Sequence, residues 1–553
     1  MSNRLASIDV MRLTSQATEI LRALQAPQPV LRLVGGRVDL SLIDKLRQLG
    51  EPLAAPALIP LLLGAQAPTF DRIASVVAAI LEPVSPARLP ELDDACRSLG
   101  QHDLVDWSAW RGLTPNDVRA LESSLGCEAA PVLGVASFHR SGYVREAAIM
   151  SLDRTESGGE LPYLIVRLND WVTPVAEAAR AAVVRRIGAP WVAEWVRCLA
   201  LVSRMKATTR RGHDDVIERA FALLRDERHG DALREGFRSN DRVARRVAYM
   251  LARDSTAFSI AQVVELALRD RDPMIRLDAI REAMPRLDDT SFLALLDTID
   301  ANPFMPVRRA GLHAAAERFP DRAVARAERA LMDRNPAVRE LARFQLTQRD
   351  AGRSFAVVYR DEIATPNTAA RLSTALAGLG ETGEPADARV IEPFALHARS
   401  SVRRAAVRAL ARLDPESSGA VFVRALSDSS PRVIHESRDA LAANASLIDL
   451  DTVRRVVRDA PTLAGRIAAL ALGQSLGKWR SLALWLEASM SPELELAEHA
   501  RQLLRMWVIR ANRSSVAPPA RELVEIDATL ARTRFSLDDS IRRELSEMLD
   551  VWR

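Results

Sequence analysis

Arginine is the residue type whose number and spacing offer the most chemistry in this chain of 553 residues, since only three of its 76 basic residues are lysines. One basic set falls in two runs, at 204–213 and 234–246. The members of this candidate binding patch are Arg204, Lys206, Arg210, Arg211, Arg238, Arg242, Arg245 and Arg246. Such groups can contact phosphates. Carboxylates at Asp214, Asp215 and Glu218 lie nearby and no aromatic residue is interleaved with the run at 204–213, so solvated, salt-bridged helix surfaces are the favoured interpretation.

Residue patterns typical of catalysis or metal binding are not formed. The eight histidines make no H-E-x-x-H or H-x-x-x-H pattern, and the three cysteines make no C-x-x-C pattern. The chain has no G-x-x-x-x-G-K-[ST] loop, and its G-x-S-x-G match at 473–477 follows a predicted repeat helix rather than the strand that a nucleophile elbow requires. We therefore expect no enzyme activity, no metal and no cofactor.

One glycine pattern resembles a phosphate-binding loop. Residues 378–383 read G-x-G-x-x-G, but the preceding segment, 369–377, is a predicted helix, whereas a dinucleotide fingerprint requires a strand there. Glu381 would also repel a pyrophosphate. The expected structure is a flexible loop between helices, with a helix C-cap at Gly378.

An internal repeat supplies the elements that must position these side chains. Eight similar segments can be aligned on a β-branched residue, with spacings of 31, 68, 32, 32, 31, 64 and 31 residues. These anchors are Val144, Val175, Val243, Ile275, Val307, Val338, Val402 and Val433. The two long gaps predict degenerate copies near Val216 and Ala370, and two further copies fit around Ile467 and Leu496.

Each copy has the pattern of a helix pair. A small residue usually follows the anchor at position four and an aliphatic residue often follows at position eight, which places all three on one helical face. A proline often stands one or two residues before the anchor, where it suits the first helical turn. Another apolar helix is predicted upstream of each copy. No period-2 strand pattern is sustained, so the predicted fold class is all-α.

The segments 269–280 (RDRDPMIRLDAI) and 332–342 (MDRNPAVRELA) resemble HEAT repeats, most closely the short bacterial HEAT-like variety of the PBS-lyase type. The tetratricopeptide pattern is absent. The resemblance covers roughly residues 131–510 and implies an α-solenoid of stacked antiparallel helix pairs, HEAT/ARM-like, with a period of about 32 residues.

The same resemblance implies a ladder of Asp and Arg side chains between neighbouring repeats. The pattern breaks at Ala176, Ala244 and Ile434, where the bond would be missing or use another partner. The expected structural ladder residues are Arg145, Arg276, Arg308, Arg339 and Arg403.

Three regions are predicted. Residues 1–130 form an N-terminal helical cap region with divergent helix pairs, 131–512 the repeat solenoid, and 513–553 a C-terminal helical cap. Four tryptophans fall in the last 75 residues, and core filling is favoured over an aromatic binding patch. They are Trp479, Trp485, Trp507 and Trp552.

Composition and net charge limit the class of protein and its expected location. A 48% apolar and 27% charged chain is neither disordered nor a disulfide scaffold. The segment 1–24 contains Asp9 and Glu19 and lacks the apolar core of a secretory signal. The most apolar stretch, 53–67, is too short to span a bilayer. We therefore expect a cytoplasmic protein without membrane contact. The net charge of +4 permits nucleic-acid binding without arguing for it.

These observations favour a non-catalytic scaffold or adaptor. Stacked helix pairs create an extended concave surface that suits a protein partner, within a bacterial multiprotein complex such as a defence or secretion assembly. The alternative is a nucleic-acid-binding HEAT-like protein, either architectural or similar to alkylpurine DNA glycosylases. A third possibility, an enzyme similar to the phycobilin lyases, depends on the repeat alone.

Overall fold

A computed structural model describes residues 12–25, 38–100, 104–126, 128–207, 212–365, 368–511, 516–533 and 536–552. Within these ranges the chain forms helices and no strand. The all-α fold class is confirmed, with stacked helix pairs of the HEAT/ARM-like solenoid type. The chain divides into two compact units, Met1–Val307 (unit 1) and Arg308–Arg553 (unit 2).

Unit 1 contains the first nineteen α-helices of the described residues. They are α1 (Ser15–Gln25), α2 (Leu40–Leu49), α3 (Ala55–Leu62), α4 (Thr69–Leu81), α5 (Leu89–Ser98), α6 (Ser108–Arg111), α7 (Pro115–Ser124), α8 (Ala129–Ala136), α9 (Gly142–Asp153), α10 (Leu161–Arg167), α11 (Thr173–Arg185), α12 (Val192–Arg197), α13 (Leu199–Ala207), α14 (Asp214–Arg225), α15 (Gly230–Arg238), α16 (Arg242–Arg253), α17 (Ile260–Arg269), α18 (Pro273–Asp278) and α19 (Asp289–Asp300). A π-helical turn, Ala279–Ala283, continues α18.

The next helix, α20 (Met305–Arg318), begins in unit 1 and ends in unit 2. The remaining described helices belong to unit 2. They are α21 (Pro320–Ala330), α22 (Pro336–Thr347), α23 (Phe355–Ala364), α24 (Ala369–Thr382), α25 (Ala388–Ile391), α26 (Ser400–Leu413), α27 (Gly419–Ala425), α28 (Pro431–Ala443), α29 (Leu450–Asp459), α30 (Leu463–Leu472), α31 (Lys478–Ser489), α32 (Leu494–Ala511), α33 (Ala520–Arg532) and α34 (Asp539–Asp550).

The second helices of successive pairs pack side by side. In unit 1, α9 packs against α11, and in unit 2, α26 packs between α24 and α28. All anchors except Val243 are buried, as are small partners such as Ala148 and Ala406. Small side chains permit this close approach between helices.

One anchor departs from the expected register. Val243 is only partly buried, whereas Ala244 is 4% exposed. The copy therefore starts one residue later than predicted, which places Ala248 at the small position and Arg245 at the position after the anchor. Burial across the helix interface outweighs β-branching in deciding which residue serves as the anchor.

The structure contradicts the flexible loop expected at 378–383. Helix α24 continues through Gly378 and Gly380 to Thr382. A Cβ atom on Gly378 would lie 2.2 Å from the Tyr359 ring, and one on Gly380 would lie 2.7 Å from the Cα atom of Ala409. These glycines allow close packing within a continuous helix, and the C-cap is Gly383.

Candidate interaction surface

A recurring ion pair joins an arginine near the start of a second helix to an aspartate 25 residues later. Arg403 is a complete example, because its Nε and Nη2 each donate to Asp428 at 2.7 Å. Its Nη1 also donates to the carbonyl of His397 at 2.9 Å, in the turn before α26. Asp428 in turn accepts a bond from the backbone N–H of Ser430 at 2.7 Å. One ion pair thus holds two successive turns in register.

The same two-bond geometry appears four times in the described residues. The other pairs are Arg145 with Asp170, Arg245 with Asp270, and Arg308 with Asp333, with distances between 2.6 and 3.3 Å. Planar guanidinium groups match carboxylates in this way. Arg245, which the sequence placed in the binding patch, is therefore a buried member of this ladder, and its guanidinium is not available to a ligand.

Two expected ladder positions have other partners. Arg276 has Ala301 rather than an aspartate 25 residues later, and it donates to the carbonyl of Arg271 at 3.2 Å. Its guanidinium also lies 5.3 Å from the Phe304 ring centre. Arg339 reaches farther along the chain, to Glu381, with an Nε-to-Oε2 distance of 3.1 Å.

The most deeply buried charge cluster surrounds Asp170 in unit 1. Its carboxylate accepts bonds from Arg145 at 2.8 Å and from Arg167 at 3.0 Å, and these side chains are at most 1% exposed. Arg167 also pairs with Asp93, and the exposed Trp171 ring covers Arg145 at 4.8 Å. Burial alone would raise the pKa of Asp170, but the hydrogen bonds from Arg145 and the Val172 amide hold that pKa below its ordinary value. This cluster is structural.

Acidic partners accompany most of the predicted basic patch in unit 1. Arg210 and Arg211 lie outside the described residues. Of the others, Arg242 is exposed and makes no ion pair within the described residues. The remaining pairs are Arg204 with Glu91 (2.8 Å), Lys206 with Glu218 (2.9 Å), Arg238 with Glu235 (2.5 Å) and Arg246 with Asp272 (2.8 Å). The patch therefore consists largely of internal ion pairs.

Unit 2 carries an arginine cluster that sequence analysis missed. Arg404, Arg408 and Arg412 stand four residues apart on α26, and their side chains are 43–48% exposed. Glu436 on α28 accepts from Arg404 at 3.0 Å and from Arg408 at 2.6 Å. The i, i+4, i+8 spacing in the sequence was the available signal.

A second carboxylate, that of Glu381, contacts the same arginine cluster. Glu381 on α24 pairs with Arg339, with Arg343 at 2.9 Å and with Arg412 at 3.5 Å. Burial alone would raise the pKa of Glu381, but its arginine partners hold the pKa below the ordinary value. Five guanidinium groups thus share two carboxylates. The arginine surface is defined here as Arg339, Arg343, Arg404, Arg408 and Arg412 with Glu381 and Glu436.

The two units also differ in overall charge, and unit 2, which carries the arginine surface, is the more basic. Unit 1 has 38 basic and 40 acidic residues, whereas unit 2 has 38 basic and 32 acidic residues. Unit 2 therefore carries a formal charge of +6. The arginine surface is a local concentration of that excess, on second helices whose outer sides are in contact with solvent.

The described cysteines are placed unfavourably for nucleophilic catalysis. Cys96 and Cys198 are buried, and burial raises the pKa of each thiol, which makes these cysteines unreactive. Cys127 lies outside the described residues. The described residues contain no group of three His, Cys, Asp or Glu side chains placed to hold a metal ion.

The tryptophans near the end of the chain mostly fill the core of unit 2. Trp479, Trp485 and Trp507 are each less than 9% exposed, and Trp479 and Trp507 make an edge-to-face contact at 5.7 Å. Trp552 is partly exposed.

Among the described residues, no single helix has the length and apolar composition of a membrane span. One sharply bent pair, Thr69–Leu81 with Pro86–Ser98, meets those criteria on length and composition only. The apolar residues of this pair, including Ile73 and Leu92, are buried in the core of unit 1.

No family model matches the chain, and no curated protein matches it. Similar solved structures include yeast importin-beta (Kap95p), at 12% identity over 95% of this chain and 71% of that chain, with a TM-score of 0.34. The Kap95:Nup1 complex is similar at 12% identity, 97% and 72% coverage and a TM-score of 0.32. The karyopherin Kap121p bound to the extreme C-terminus of the protein phosphatase Cdc14p is similar at 12% identity over 96% of this chain and 68% of that chain, with a TM-score of 0.31. Similarity at this level of identity and TM-score does not indicate a function.

Proposed function

We propose that the chain is a non-catalytic scaffold or adaptor that binds a protein partner along its second helices, as a subunit of a cytoplasmic multiprotein complex. The observation that carries this proposal is the arginine surface of unit 2. Its three α26 arginines are about half exposed, and the surface has five cationic groups for two carboxylates.

An acidic protein segment is the partner chemistry that fits this surface. Arg408 already holds a carboxylate with two short bonds, at 2.7 and 2.6 Å to Glu436. A partner carboxylate would meet guanidinium groups arranged in the same way. The side chains of Arg404, Arg408 and Arg412 are 43–48% exposed while they are paired, so binding need not break the internal pairs.

Nucleic-acid binding is the second candidate, favoured by the +6 charge of unit 2. Phosphate contacts would make affinity fall steeply with salt. Glu381 and Glu436 lie within the arginine surface, where they repel a continuous phosphate backbone, and Phe344 is the single exposed large aromatic residue among the described residues of unit 2. The protein partner is therefore the preferred proposal.

The test is affinity capture from lysate of the native host, with and without nuclease, using three forms of the full chain. The first is wild type and the second carries Arg404→Ala, Arg408→Ala and Arg412→Ala. The third is a matched control, Arg228→Ala, Arg234→Ala and Arg238→Ala, which removes three exposed arginines of unit 1 that pair with nearby residues.

We expect a stoichiometric protein partner that resists nuclease, is lost with the α26 variant and is retained by the control. A partner retained by the α26 variant would contradict the proposed surface. Recovery of nucleic acid, with all proteins lost after nuclease, would instead establish the second candidate.

A further inference from the structure

A cavity of ≈ 270 Å³ lies between α31 and α32 in unit 2. Its apolar walls are Trp485, Leu503, Met506 and Trp507. The volume is just below the ~300 Å³ at which small-molecule sites begin, so any ligand that it accepts is small.

The two tryptophan walls present carbon rather than unsatisfied polar atoms, and Gln474 and Ser481 are the uncharged polar residues of the lining. The indole N–H of Trp485 donates to the carbonyl of Leu470 at 3.0 Å, and that of Trp507 donates to the carbonyl of Lys478 at 3.1 Å. Each ring therefore has its polar group occupied within the protein. An apolar or aromatic ligand body can pack against these rings without a polar group losing its partner.

Two cationic side chains also line the cavity. The Lys478 ammonium lies 4.7 Å from the Trp479 ring centre and 5.9 Å from that of Trp507. Arg510 is exposed and makes no hydrogen bond or ion pair within the described residues. No Asp or Glu is among the described residues that line the cavity. The charged side chains that line the cavity within the described residues are therefore both cationic.

We propose that this cavity binds a small organic anion with an apolar body, namely an aliphatic or aromatic carboxylate. The apolar body packs against Trp485, Trp507 and Leu503. The carboxylate interacts with Lys478 and Arg510, the latter through its planar donor fork. The chain contains only three lysines, and one of them is placed here. This inference is independent of the proposed scaffold function, which involves α22, α24, α26 and α28.

The test titrates the full-length protein with 4-phenylbutyrate, followed by tryptophan fluorescence and calorimetry. Fluorescence is informative because Trp485 and Trp507 form the cavity wall. The neutral 4-phenylbutyramide tests the need for charge. Arg510→Ala and Lys478→Met each remove one cation. Arg505→Ala is the matched control, since Arg505 also belongs to α32 but pairs with Glu498 and Asp538 and does not line the cavity.

We expect saturable binding of 4-phenylbutyrate, with affinity reduced about tenfold or more in Arg510→Ala and Lys478→Met, a loss typical of a charge-assisted contact. Arg505→Ala should bind as wild type does. The proposal is overturned by the absence of saturation up to about 10 mM. It is equally overturned if the amide binds as tightly as the acid, or if Arg510→Ala and Lys478→Met both retain wild-type affinity. Melting curves confirm that each variant is folded.

Discussion

Arg403 and Arg404 are adjacent in sequence but occupy different environments in unit 2. Their side chains lie about 100° apart around α26. Arg403 is 14% exposed and closes a two-turn ladder with Asp428, whereas Arg404 is 43% exposed and contributes to the arginine surface. One step along a helix therefore separates an arginine that stabilises the repeat from one that is available to a partner.

The same contrast holds between the two units. Arg145 and Asp170 in unit 1 are completely buried, while Arg408 and Glu436 in unit 2 are 44% and 15% exposed. Both pairs use identical chemistry. The difference teaches that an ion pair in this fold is structural where neighbouring repeats cover it and accessible where they do not, because water screens the exposed pair and is excluded from the buried one.

The largest expected effect comes from breaking the buried cluster. Asp170→Ala leaves Arg145 and Arg167 without their shared carboxylate, and removing one partner of a buried pair costs roughly 3–5 kcal/mol. Denaturant unfolding measures the loss, and hydrogen exchange locates it in unit 1. Glu436→Ala is the counterpart in unit 2, where the partners Arg404 and Arg408 are 43% and 44% exposed, and we expect a loss of about 1 kcal/mol or less. Equal losses in the two variants would contradict the comparison.

A buried histidine provides a pH-dependent test. His139 is 1% exposed, and burial, reinforced by the charge of Arg145, lowers its pKa from 6.5 to about 4. Between these values the unfolded chain binds a proton that the folded chain does not. The free energy of unfolding should therefore fall as the pH drops from 6.5 to 4, by roughly 3 kcal/mol in total.

His139→Gln should flatten this dependence relative to wild type, as measured by denaturant unfolding across that pH range. His435→Gln, at an exposed position on α28, is the control for the loss of a histidine side chain. Identical profiles for wild type and His139→Gln would show that His139 protonation does not oppose folding.

A third change tests how the arginine surface is assembled. In Gly378→Ala, the new Cβ would lie 2.2 Å from Tyr359, so α24 must shift, at a cost of roughly 1–3 kcal/mol. Glu381 moves with α24, and partner binding by the arginine surface should weaken as well. Gly419→Ala is the control, because its Cβ meets nothing closer than 3.5 Å. A melting temperature unchanged by Gly378→Ala would indicate that the packing relaxes freely.

The smallest effect on stability is expected for Arg408→Ala. An exposed pair contributes about 0–1 kcal/mol, so the unfolding free energy should barely change. The same substitution should nevertheless weaken partner binding, which capture and quantification of the partner would measure. A variant that loses several kcal/mol of stability would show instead that Arg408 belongs with the structural pairs.

The regular parts of the molecule could be predicted from sequence because they depend on local spacing. Apolar and small residues four positions apart define one face of a helix, so the helix pairs followed from the repeat. Arg145, Arg308 and Arg403 each have an aspartate 25 residues later, and these partners are visible in the sequence once the period is known. At Val243 the β-branched residue and the buried residue differ, because Ala244 occupies the helix interface there.

The misjudged positions depend on contacts that local spacing does not contain. Gly378 and Gly380 looked like loop residues, yet Tyr359 and Ala409 require glycine within a helix at these points. Arg339 lacks an acceptor at the usual distance and finds Glu381, 42 residues later. The arginine surface then forms because α24 brings Glu381 between two other second helices.

The sequence by itself determined the all-α class, the repeat period and the helix-pair unit, since each is encoded within about 35 residues. Only the tertiary structure decided which arginines are buried, which carboxylates they share and where a cavity forms. The physical reason is that exposure and ion pairing depend on helices from different repeats packing against one another. The same Arg–Arg dipeptide at 403–404 thereby supplies both a structural bond and a binding surface.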